Sequence, residues 1–79
     1  MEKRYCVLNI GHGIEGGFYD TIDEAVDKLN KLVEALLAQG WYQIHHEGEG
    51  KYTFIVITRN FGEVIGRSVS AFQIKEVEI

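Results

Sequence analysis

Seventy-nine residues with a formal net charge of −4, 46% apolar and 25% charged, describe one small acidic globular domain rather than a disordered segment. The 12 acidic and 8 basic side chains leave no basic stripe for a phosphate backbone, so nucleic acid is not the expected partner. A single cysteine rules out an internal disulfide, and no apolar run is long enough for a transmembrane helix.

Residues 4–10 alternate and predict a strand, with Cys6, Leu8 and Ile10 on one face and Tyr5, Val7 and Asn9 on the other. Cys6 reads as a small buried hydrophobe. Lys3 and Arg4 precede a stretch broken by Asn9 and Gly11, with no leader-like apolar core. A cytoplasmic setting, of a cell or of a virus's host, is therefore expected. A Gly-rich loop follows over 11–17, and Gly17-Phe18-Tyr19 adds a short second strand.

Thr21-Ile22-Asp23-Glu24 fits a capping box and opens a helix over 22–39. Ile22, Ala25, Val26, Leu29, Leu32, Val33, Leu36 and Leu37 recur at spacings of three and four, which makes one apolar stripe. Glu24–Lys28 and Asp27–Lys31 are set for i,i+4 ion pairs on the wet side. Gly40 is placed to stop the helix.

Beyond Gly40 the period becomes two. Residues 41–46 predict a strand, Glu47-Gly48-Glu49-Gly50 a turn, and residues 51–59 a second strand. Asn60-Phe61-Gly62 is a further turn. Residues 63–79 are extended, with slips in alternation near Gly66 and again toward the end that suggest a bulge or a bend. The sum is an α+β fold. A single helix packs on one face of a mostly antiparallel sheet of three to five strands, in the order β(β)αβββ. One domain spans residues 1–79.

The strand at 51–59 carries Tyr52, Phe54 and Val56 on one face and Ile55 and Ile57 on the other. One helix covers one face, so the second is exposed or is covered by another chain. A homodimer or higher oligomer is the expectation.

Four motifs invite chemistry, and each reads better as structure. Gly11-His12-Gly13-Ile14-Glu15-Gly16 spells G-x-G-x-x-G. A dinucleotide site needs the helix to begin at the glycines, whereas the cap here is Thr21. Glu15 inside the segment would also repel phosphate. Gly11, His12, Gly13, Glu15, Gly16 and Gly17 remain candidates as a mobile ligand or partner loop. His45 and His46 are strand neighbours that point to opposite faces, one expected exposed and the other half-buried. They match no zinc spacing, so no metal or other cofactor is expected. Ser68 and Ser70 lack a nucleophile elbow. Glu47 and Glu49 flank a solvated turn, so no catalytic residues are expected and the chain reads as non-enzymatic.

Trp41, Tyr42, Tyr52, Phe54 and Phe72 form an aromatic set on the strands. Trp41, Tyr42, Tyr52 and Phe54, with Arg59, are the candidate interface residues, because aromatics and arginine dominate protein interfaces. The run from the capped helix through Gly40-Trp41 into a hairpin, residues 21–59, looks like many small bacterial and phage proteins and implies no activity. The expected function is a small acidic protein-interaction module that self-associates through the uncovered sheet face. An accessory or inhibitor protein of a phage or plasmid, bound to a host protein, is its concrete form. The alternative is a nucleotide- or metabolite-binding protein with its site between subunits near 11–17.

Overall fold

A computed structural model describes residues 2–60, 62 and 66–78. Strand β1 (Lys3–Asn9) turns into β2 (Gly13–Tyr19), and helix α1 (Ile22–Ala38) crosses to β3 (Tyr42–Glu47). A 3₁₀ turn (Gly50–Tyr52) leads to β4 (Phe54–Asn60), and β5 (Arg67–Glu78) follows. The five strands form one antiparallel sheet in the order β2-β1-β5-β4-β3. The α+β arrangement of one helix on one sheet face is as expected. Of the expected turn at 60–62, Asn60 instead ends β4 opposite Arg67, and residue 61 lies outside the described residues, as do residues 63–65 of the expected extended segment.

The helix forms where its local signals place it. The Thr21 hydroxyl accepts from the Glu24 N–H at 3.2 Å and donates to the Glu24 carboxylate at 3.1 Å. Glu24 is thus turned back to the cap rather than toward Lys28, whereas the Asp27–Lys31 pair forms at 2.9 Å. Asp27 beside it raises the Lys31 ammonium's pKa. Gln39 caps the C-terminus, and Gly40 takes the left-handed conformation that ends the helix.

Ala25, Leu29 and Val33 of α1 pack on Val7 of β1, Ile55 and Ile57 of β4, and Phe72 and Ile74 of β5. Tyr5, Tyr19, Val26, Leu32, Leu36 and Trp41 close the margins of this core. All of it lies on the helix side. The radius of gyration is 13.5 Å, against about 12 Å for a compact chain of this length. The molecule is 50 Å long and 19 × 18 Å across.

Two expectations are corrected. The segment 11–17 is not a loop: only residues 10–12 turn, with the His12 N–H donating to the Asn9 carbonyl at 2.9 Å. From Gly13 the chain is an edge strand. Tyr5 pairs with Tyr19 and Val7 with Glu15, so two extra residues are accommodated in β2. Gly16 and Gly17, at φ +79° and +87°, supply the bend of that bulge. Tyr52 does not belong to a strand either. The Tyr52 N–H donates to the Glu49 carbonyl at 3.0 Å. The Thr53 hydroxyl donates to the Gly50 carbonyl at 2.8 Å, and these bonds hold 50–52 as a turn.

Candidate functional site

Strand alternation divides every strand between the core and the face turned away from the helix. On that second face β1 presents Cys6 and Leu8, with Ile10 just beyond its end, and β4 presents Phe54, Val56 and Thr58. Its register partners complete the surface. Leu8 faces Ile14 of β2 and Gln73 of β5, and Phe54 faces Gln73 and Glu47 of β3. Val56 faces Ala71 and His45, and Thr58 faces Val69 and Tyr42. Phe18 joins them, because its neighbour Tyr19 packs into the core.

This face is largely apolar, and no described element covers it. Ile10, Ile14, Phe18, Tyr42 and Val69 are each 45–55% exposed. These five half-exposed side chains amount to roughly 400 Å² of apolar surface, within the range of the largest patch on a typical monomer. Leu8, Phe54, Val56 and Ala71 between them are half-buried and make the patch continuous.

The polar groups of the face differ in how they are satisfied. Thr58 is fully buried; its hydroxyl donates to the Ser68 carbonyl at 2.7 Å and accepts from Arg67 Nε at 2.7 Å. His45 Nε2 sits 3.1 Å from Glu47 Oε2, with its ring edge-on to Phe54 at 6.0 Å between centroids. Cys6 is fully buried against Lys75, its partner on β5. Burial pushes the thiol's pKa up, and the Lys75 charge opposes that. At the centre, the Gln73 amide has no hydrogen-bond partner among the described residues.

The expected interface set is split by the fold. Tyr42 and Phe54 are on the open face, and Trp41 is half-buried against the core. Tyr52 projects from the 3₁₀ turn at 73% exposure, with Lys51 Nζ 5.3 Å from its ring. Arg59 pairs with Ser68 and shares the helix side with Ile57, close to Gly40, so it is not part of the open face. The aliphatic members, Leu8, Ile10, Ile14, Val56 and Val69, lie outside that set. The alternation of β1 and β4 carries the signal for three of them; only the strand order places Ile14 and Val69 beside them.

The candidate loop residues are also distributed. Gly11 and His12 lie in the β1–β2 turn, and Gly13, Glu15, Gly16 and Gly17 lie in β2. Glu15 accepts from Asn9 Nδ2 at 3.4 Å. The helix begins at Ile22, so its N-terminal N–H groups do not face these glycines. His45 and His46 do face opposite ways, paired with Val56 and Ile55, but both are exposed because β3 is an edge strand with six exposed residues. Among the described residues no three His, Cys, Asp or Glu side chains are grouped to hold a metal ion. Nor, among them, is any helix long and apolar enough to cross a membrane. No protein-family model matches the chain, and no curated protein or solved structure matches it.

Proposed function

We propose that the chain is a non-enzymatic protein-interaction module that associates with a second copy of itself through the helix-free face of its sheet. The observation that carries this reading is the continuous apolar surface opposite α1, with five large side chains about half exposed.

Size supports it. Five strands about 4.8 Å apart and seven residues at about 3.3 Å per residue give a face of roughly 500 Å² in projection. Two such faces bury about 1,000 Å² before corrugation is counted, which is where specific interfaces begin. Removing about 400 Å² of apolar surface from water on each copy is worth roughly 20 kcal/mol gross. Association costs about 4–15 kcal/mol in lost freedom, so the surplus accommodates a micromolar dimer.

The acidic charge of the helix does not oppose the same occupant. Asp23, Glu24, Asp27 and Glu34 are exposed on α1, away from the open face. Stacked sheets lie about 10 Å apart, and each helix sits about 10 Å further out. The two acidic helices are then separated by several Debye lengths of about 8 Å. These helix charges therefore do not oppose a face-to-face pair. Size-exclusion chromatography with light scattering at micromolar concentration should return twice the chain mass. A stable monomer across that range removes the reading.

A further inference from the structure

We propose that Gln73 lies on the twofold axis of this homodimer and hydrogen-bonds to Gln73 of the second copy, fixing the register of the two sheets. The inference rests on the self-association reading above and names the residue that gives it a unique geometry.

Position comes first. β5 is the middle strand of the five, and Gln73 is near its middle. The row crossing the sheet at this point runs Ile14, Leu8, Gln73, Phe54, Glu47, one residue from each strand. Gln73 is therefore the centre of the open face, with Leu8 on one side and Phe54 on the other. A closed dimer made from one self-complementary patch is twofold, and a residue at the centre of the patch meets its own copy.

Chemistry makes the same demand. Docking the two faces removes the Gln73 amide from water, and its chain offers no partner among the described residues. The other central polar group, the Thr58 hydroxyl, is already used by Ser68 and Arg67. A primary amide carries both donors and an acceptor, so a second primary amide satisfies it reciprocally. Each side chain has to reach about half of the ~10 Å between stacked sheets, which is within the length of glutamine. An unpaired amide in any shifted register would be left buried and unsatisfied. That penalty selects one register, as a single buried asparagine does in a coiled coil.

Charge swapping tests the proposal. Gln73→Lys and Gln73→Glu are purified separately, checked by circular dichroism, and followed by sedimentation velocity alone and mixed. Each alone should dimerise at least about tenfold more weakly than wild type, because like charges meet on the axis. An equimolar mixture should regain wild-type association within about tenfold, as a heterodimer. If wild type dimerises but the mixture is no tighter than the separate variants, Gln73 does not face its copy and the proposal is overturned. A monomeric wild type overturns the self-association reading itself. If either charge prevents folding, Gln73→Cys in a Cys6→Ala background replaces the pair. A short bis-maleimide should then link its copies into a covalent dimer, and an unlinked dimer overturns the proposal.

Discussion

Replacing Val69 by lysine should abolish self-association while leaving the monomer folded. Val69 is 55% exposed, so the monomer has already forgone much of the benefit of burying it. Its register partner on the open face is Thr58, beyond which lies Tyr42, and no acid stands in that row to receive an ammonium. In a twofold dimer the change is made twice. Half a valine side chain withdrawn from burial costs about 1 kcal/mol per copy, or about 2 for the dimer. Two ammoniums brought into the interface without partners, or forced to reach its rim, add at least about 2 kcal/mol more. The total of about 4 kcal/mol is a thousandfold weaker dissociation constant. Sedimentation velocity from 1 to about 100 μM measures this directly. Thermal unfolding of the variant, extrapolated to low concentration, should stay within about 1 kcal/mol of wild type. A variant that associates as tightly as wild type would refute the argument that this face is the contact.

Leu29→Ala should lose about 2–5 kcal/mol, because Leu29 is fully buried at the helix–sheet contact. That is a large share of the roughly 4–12 kcal/mol expected for a domain of this length, and the melting midpoint should drop by at least about 10 °C. Gly48→Ala should cost more than Gly17→Ala in urea denaturation. Both glycines have positive φ, but a methyl at 48 also overlaps the Tyr52 carbonyl whereas one at 17 meets open space; equal losses would show that the turn relaxes. Cys6 should make stability fall in alkali. Its folded pKa is raised by burial, so its contribution is whole below the unfolded value of about 8.5 and is lost as pH rises through the folded value. Denaturation midpoints between pH 8 and 10 should therefore fall more steeply for wild type than for Cys6→Ala.

What was legible from residue order alone was whatever local physics decides. The helix rests on its own cap, its stripe and its stop, all within twenty residues, and it formed within one residue of expectation. The two apolar faces were legible too, because alternation in β1 and β4 needs no knowledge of neighbours. Residues 13–16 are ambiguous in the sequence because glycine marks both loops and bulged edge strands, and only pairing with β1 distinguishes them. Period two continues through Tyr52 and predicts a strand there; hydrogen bonds to Glu49 and Gly50 decide otherwise. Gln73 carried no signal at all. Its centrality depends on β5 lying between β1 and β4, which is a property of strand order and not of any local pattern.

That strand order has a kinetic side. Before β5 is in place the β1–β2 hairpin and the β3–β4 hairpin share no strand pairing, and each presents an unpaired edge where β5 will go. Insertion of β5 closes both ladders at once, from Lys3 opposite Glu78 to Asn60 opposite Arg67. On a ribosome the β1–β5 ladder must wait for a strand that emerges after the other four. Loop closure between β1 and β5 spans nearly the whole described chain, which slows folding relative to a sheet of successive hairpins. The waiting interval is when this chain is most open to wrong partners, and chaperone dependence should track the time between emergence of β4 and emergence of β5.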